Sequence, residues 1–174
     1  GRQIRLQGDG GMMTRTILQA LQRIEEAVAS LAYITVAALL IGDVLGRELF
    51  GASLLGAQKL AIYAAIVASF LGLSLATSAG AHLRPEIFDR LFSARHDRVV
   101  NRLSDLFAAL FFAGMGLVAI HFVAQSAEFG DRAAIFYFPL WPIQLVMPYA
   151  FFSCAFRHLA YALHPELRPQ GVLA

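Results

Sequence analysis

Two histidines are the best candidates in this sequence for the ligands of a cofactor. His82 and His158 both fall at the predicted ends of apolar helices, so a pair of axial haem ligands in a four-helix membrane bundle is geometrically conceivable. Axial ligands normally lie in the interior of a bundle, and neither histidine is clearly placed there. A small haem-binding or redox membrane protein therefore stays as the alternative interpretation.

Signatures of enzyme chemistry are absent from the sequence. It has no HExxH pair of metal ligands, no pair of cysteines, no glycine-rich phosphate loop and no serine nucleophile motif. The single cysteine, Cys154, cannot form a disulfide within the chain and is interpreted as a small buried hydrophobic residue. We therefore predict a protein that is not an enzyme and that holds no cofactor or metal.

One pair of charged residues lies close to apolar sequence. Asp43 and Arg47 are four residues apart, about one helical turn, with Glu48 beside them. Charged groups inside a membrane helix are costly and are functional candidates, but these lie near the end of the predicted span, where pairing and snorkelling reduce the cost. A structural ion pair, a contact with another subunit and a role in ion transport all stay open, and the ion pair is favoured.

The composition indicates that membrane helices hold these residues. Hydrophobic residues make up 58% of the 174 and charged residues 15%, with a mean hydropathy of +0.62, whereas soluble domains average about 45–50% and about 25%. Four windows contain no Asp, Glu, Lys or Arg: 27–42, 60–83, 106–127 and 133–156. A crossing needs about 20 apolar residues, so three windows suffice alone and the first is the middle of a longer helix.

These windows predict an all-α integral membrane protein with four transmembrane helices, at about 16–49, 58–81, 99–127 and 142–163, in one domain over residues 14–163. Helix 1 begins as a long amphipathic segment at the interface, in which Ile17, Ile24 and Val28 share an apolar face. Pro148 is expected to kink helix 4. Residues 1–13 are interpreted as a flexible extension, with Met12 or Met13 as a candidate natural start, and 164–174 as a C-terminal tail.

Cations are distributed unevenly among the predicted loops. Eleven of the 14 lysines and arginines precede the first charge-free window, lie between the second and third, or follow the fourth, whereas the other two intervals hold Arg47, Lys59 and Arg132. Cytoplasmic loops carry the excess of Lys and Arg, so we predict that both termini are cytoplasmic. Topology accounts for the sequence pI of about 9.0, and we predict no nucleic-acid partner.

Small residues recur every four positions along predicted helix 2. Lipid supplies no hydrophobic driving force for helix association, so membrane helices associate through close packing at small residues. We predict that this small-residue series packs against another helix, either of this chain or of another subunit. Its members are Ala64, Ala68, Gly72, Ala76 and Gly80.

A short amphipathic segment follows the series, between predicted helices 2 and 3. Pro85 suits the first turn of a helix over about 85–92, which we expect to lie on the cytoplasmic membrane surface. The aromatic cluster that opens helix 4 is expected at headgroup level on the other side. The predicted membrane-surface anchors are His82, Arg84, Glu86, Ile87, Phe88 and Trp141.

The order of these elements resembles the Q-type small membrane subunit of tripartite ATP-independent periplasmic (TRAP) transporters. The segments that carry the resemblance are Arg47 at the end of helix 1, FGASLLGAQKL, FLGLSLATSAGAHLRPEI and FPLWPIQLVMPYAF. The resemblance as a whole covers roughly residues 42–157. The sequence departs from the family at GAQKL, where members typically have a tryptophan and one or two glutamates in place of Gln58 and Lys59.

The resemblance implies a scaffold that joins a large M-type subunit, which moves substrate by a sodium-coupled, elevator-like mechanism. A separate periplasmic binding protein delivers the substrate, commonly an organic acid such as a dicarboxylate or a sialic acid. We expect no buried charge at mid-bilayer and no transport by this chain alone, since the windows are uncharged and the chain has no internal repeat. The residues predicted to dock the binding protein are Arg47, Gln58, Lys59, Glu128, Asp131 and Arg132.

Overall fold

The computed structural model describes residues 2–79 and 97–167, and it describes side chains for residues 13–79 and 100–167. Its helices are α1 (Arg2–Phe50), α2 (Ala57–Ser78), α3 (Asp97–Glu128), α4 (Trp141–Gln144) and α5 (Val146–Leu163), followed by a 3-10 turn at Pro165–Leu167. Extended pairing within these ranges is limited to one bridge between Arg132 and Pro139. The described chain is therefore all-helical, as predicted.

Three helices in the described ranges are long and apolar enough to cross a membrane: Met13–Phe50, Ala57–Ser78 and Val100–Glu128. The fourth predicted crossing divides at Leu145 into α4 and α5. Pro148 explains this interruption, because its nitrogen has no hydrogen to donate to the carbonyl of Gln144. The interruption agrees with the predicted kink, whereas the count of four crossings and the cytoplasmic termini stay predictions.

Helix α1 begins earlier than predicted. It starts at Arg2 and not near residue 16, so helical backbone runs through most of the segment that we interpreted as a flexible extension. Gly8, Gly10 and Gly11 each disfavour a helix by about 1 kcal/mol relative to alanine, but the segment has no proline to interrupt the helix that follows. The predicted interfacial helix at 85–92 lies outside the described residues.

Two glycines shape the turn between α1 and α2. Gly51 has a φ of 63° and Gly56 a φ of 87°, values in the left-handed region that other residues rarely adopt. At the end of α1, the N–H of Gly51 donates to the carbonyl of Arg47 at 3.1 Å and the N–H of Ala52 to that of Gly46 at 3.3 Å. These bonds cap the last carbonyls of α1 and turn the chain towards α2.

The helices pack as an open layer in the order α1, α2, α5, α3. Extensive contacts join α1 to α2, α2 to α5 and α5 to α3, and no comparable contact joins α1 to α3 within the described residues. Aromatic rings fill the middle, where Phe151 lies 5.8 Å from Phe70 of α2 and 6.4 Å from Phe112 of α3, measured between ring centroids. The layer therefore has two edges, formed by α1 and α3.

Both edge helices expose large apolar side chains around most of their circumference. A helix that is apolar on nearly every side is typical of a membrane environment or of contact with another membrane helix. Examples with more than half of the residue surface exposed are Ile24, Leu31, Ile34 and Ile41 on α1, and Leu103, Phe107, Leu110, Leu117 and Val118 on α3.

Candidate functional site

A buried ion pair joins α1 to α5. Arg157 Nη2 donates to Glu25 Oε2 at 2.6 Å, and at most 1% of either side chain is exposed. The short distance is typical of a charge-assisted hydrogen bond. Either charge alone in this interior would cost several kcal/mol, so each group needs the other.

Three neutral hydroxyl groups surround the same carboxylate. Ser74 Oγ lies 2.9 Å from both Glu25 oxygens, Ser153 Oγ lies 2.7 Å from Oε1, and the Tyr149 hydroxyl lies 3.3 Å from Oε1. The hydroxyls of Ser74 and Ser153 are also 2.9 Å apart. We name Glu25, Arg157 and these three residues the Glu25 cluster. It connects α1, α2 and α5 at one point.

This charged pair is buried, but it lies away from the middle of α2, so the expectation of no buried charge at mid-bilayer stays a prediction. Glu25 and Arg157 lie just outside the charge-free windows 27–42 and 133–156, and the fold brings both into the packed interior. The pair lies closer to one end of α2 than to its centre. Ser74, its partner on α2, lies roughly 25 Å along the helix from Ala57, nearer to Ser78 than to the midpoint.

The sequence did carry a signal for the burial of Glu25. It falls on the same helical face as Leu18, Ala29 and Ala32, which are all buried. Ile17, Ile24 and Val28, which lie on the apolar face predicted for the interfacial start of helix 1, are exposed. Two apolar faces thus run along this segment, and the one that contains a glutamate packs against the rest of the protein.

A second buried pair joins α3 to α5. Asp105 Oδ1 lies 3.2 Å from His158 Nδ1, and the Phe112 ring stacks on His158 with centroids 5.7 Å apart. These contacts give His158 a packing role, whereas His82 lies outside the described residues. No group of three or more His, Cys, Asp or Glu is placed to hold a metal ion within the described ranges, and no observation favours the haem interpretation. Cys154 is buried, as interpreted from the sequence.

Asp43 fastens the turn between α1 and α2. One carboxylate oxygen accepts from Ser53 Oγ at 2.9 Å and from the N–H of Leu54 at 3.0 Å, and the other accepts from Arg47 Nη2 at 2.8 Å. Gln58 Nε2 lies 3.4 Å away, at the limit of a hydrogen bond. The structural ion pair favoured from the sequence is therefore present, and it is one part of a larger set of bonds.

The loop between α3 and α4 meets this turn. The ring of Phe136 covers Gly56, leaving no room for a side chain there, and the rings of Tyr63 and Phe138 meet edge to face at 5.6 Å. Within the loop, the N–H of Ala133 donates to the carbonyl of Phe138 at 2.9 Å. We name the two segments 51–56 and 129–140 the loop end.

The structure brings the six residues predicted to dock the binding protein to this loop end. All six are exposed, although Arg47 is also bonded to Asp43 and Gln58 lies beside it. Trp141 is 41% exposed and begins α4 at the same end. The other predicted anchors, His82, Arg84, Glu86, Ile87 and Phe88, lie outside the described residues. Docking by the six residues stays a prediction.

The small-residue series does not keep to one side of α2. Ala68 is fully buried, Ala64 and Ala76 are partly buried, and a Cβ on Gly72 would meet no atom within 4 Å. Steps of four residues drift by about 40° each around an α-helix, so the series winds from the packed side towards open surface. Gly80 lies outside the described residues.

A comparison with protein families matches most of the described chain. The family described as "Tripartite ATP-independent periplasmic transporters, DctQ component" matches residues 36–166. The match includes the loop end and Arg157 but begins after Glu25. Comparison with curated proteins and with solved structures finds no match.

Proposed function

The chain belongs to the DctQ component family of tripartite ATP-independent periplasmic transporters, and on that premise we propose that it is the fixed scaffold of the transporter. As a small Q-type membrane subunit, it is part of a transport system in a membrane. The finer proposal is that it braces a large membrane subunit while that subunit moves. The family match over residues 36–166 is the observation that carries it.

The open layer supports a bracing role. Its edge helices α1 and α3 offer long apolar surfaces, and its interior contains two buried polar pairs, one linking α1 to α5 and the other linking α3 to α5. Buried polar links resist sliding of one helix along another, because a shift would leave a charge unpaired. These features suit a component that stays fixed beside a moving neighbour.

The proposed partners are a large M-type membrane subunit and a periplasmic substrate-binding protein. The large subunit would carry the substrate path and couple organic-acid uptake to sodium in an elevator-like movement. The binding protein would meet the loop end, which presents charges of both signs. We propose a bacterial inner-membrane location with both termini in the cytoplasm, and no enzymatic activity of this chain itself.

Co-expression tests the scaffold. The chain should co-purify through detergent with the large M-type subunit of its transport system, in a fixed ratio, and a binding protein from the same system should associate with that pair. An unrelated four-helix membrane protein serves as the control bait. Recovery of a monodisperse chain that does not bind the large subunit would contradict the proposal.

A further inference from the structure

The scaffold proposal uses the buried ion pair only as a link between helices and assigns the Glu25 cluster no role of its own. Arginine keeps its positive charge when buried, so the interior at Arg157 requires a compensating carboxylate. Glu25 supplies it, from a position ahead of the family match. A membrane chain that only needed packing at this point would do as well with apolar side chains, so the pair needs a reason beyond stability.

The geometry gives that reason. Within the described residues, helix α1 packs extensively on α2, and its contacts with α5 include the Glu25 cluster and the contact of Leu18 with Ala160 and Tyr161. Since lipid does not drive helices together, specific contacts such as these hold the first half of α1 against α5. Removing the charged pair would take away the charged part of this restraint and leave the apolar contact of Leu18.

We propose that Glu25 and Arg157 are positioning residues, whose buried ion pair fixes α1 against α5 and so holds this subunit in the shape that its large partner requires. The functional part of this inference rests on the proposed scaffold. The structural part concerns the isolated chain alone. The two parts can therefore fail separately.

Glu25→Gln is the sharpest variant, because the amide keeps the size of the side chain and its capacity to accept from Ser74 and Ser153 while losing the charge. Glu26→Gln is the matched control, since Glu26 is exposed and bonds only Gln22, at 2.7 Å, in the described structure. The double variant Glu25→Gln with Arg157→Gln removes both charges and leaves none unpaired. It therefore distinguishes the effect of an unpaired charge from the effect of lost packing.

The first measurement is the distance between α1 and α5 in lipid. Spin labels are attached at Ile17→Cys and Leu163→Cys, both exposed positions, in a Cys154→Ser background, and double electron–electron resonance gives the distance distribution. We expect one narrow distribution for the parent and Glu26→Gln, and a distribution at least about twice as broad for Glu25→Gln, as expected for a broken buried pair. Equal widths for Glu25→Gln and its parent would overturn the inference.

The second measurement is recovery of the complex with the large subunit, and its transport rate in liposomes. We expect Glu25→Gln to lower both by about tenfold or more, Glu26→Gln to leave both unchanged, and the double variant to recover part of the loss. If Glu25→Gln cannot be recovered from membranes, partial rescue by the double variant supports the pairing and equal loss of both overturns it. Failure of the unmutated chain to bind the large subunit would contradict the scaffold instead, while the distance measurement still decides the structural part.

Discussion

At the scale of single residues, the polar side chains in this chain's interior lie where helices meet. Glu25 joins three helices, Asp105 and His158 join two, and Asp43 closes the turn from α1 to α2. Each is buried, and each has partners on another element. In a membrane protein such groups are too costly to leave unpaired, so they mark the junctions that define the fold.

Replacing Asp43 tests one junction. Asp43→Ala removes the acceptor for Ser53, the N–H of Leu54 and Arg47, so these donors lose the hydrogen bonds that they make to a buried carboxylate. We expect a loss of about 1–3 kcal/mol of unfolding free energy and faster proteolysis within 51–56, measured on the purified chain in detergent. Glu48→Ala, at an exposed neighbour, should change neither quantity, and equal behaviour of the two variants would show that Asp43 does not fasten the turn.

Prediction from the sequence was uneven at this scale. The Asp43 and Arg47 pair follows from helical spacing, because both residues lie in one helix. The bond between Glu25 and Arg157 joins residues 132 positions apart, and no local pattern links them. The burial of Glu25 could be predicted, because it shares a helical face with Leu18 and Ala29, but its partner could not.

At the scale of helices, apolar periodicity and proline predicted most of what the structure contains. The uncharged windows 60–83 and 106–127 overlap α2 and α3, and the interruption before α5 lies three residues before Pro148, where a kink was expected. The predicted start of α1, near residue 16, differs from the start at Arg2 in the structure. Three glycines lower helix propensity in this segment, but they do not end the helix. The order in which the helices pack could not be predicted from the sequence. Apolar residues surround the edge helices, so they do not indicate which side contacts a neighbouring helix.

Two glycines of α3 provide a matched test of helix packing. A Cβ on Gly116 would lie 2.9 Å from the Phe152 ring, whereas one on Gly114 would meet nothing within 4 Å. We expect Gly116→Ala to cost about 1–3 kcal/mol through crowding between α3 and α5. Gly114→Ala should be neutral or stabilising by up to about 1 kcal/mol. Thermal unfolding in detergent measures both, and equal melting temperatures would refute the close packing of α3 on α5.

At the scale of the whole molecule, the open layer leaves surfaces for another subunit. Gly72 lies where the small-residue series reaches open surface, whereas Ala68 is fully enclosed by this chain. The two positions therefore separate packing within the chain from packing between subunits.

Substituting leucine at each position tests this difference. Gly72→Leu should leave the melting temperature of the isolated chain within about 2 °C, as expected of a surface change, but should lower recovery of the complex with the large subunit. Ala68→Leu should destabilise the isolated chain by about 1–3 kcal/mol through overpacking. Full recovery of the complex with Gly72→Leu would show that this part of α2 does not contribute to the subunit interface.

Reconstituted transport tests the scaffold most directly. Liposomes are prepared with this chain alone, with the large subunit alone and with both, and uptake of an organic acid delivered by the binding protein is followed under an inward sodium gradient. The account predicts uptake only when both membrane subunits are present. Uptake by this chain alone, or full uptake by the large subunit without it, would contradict the account.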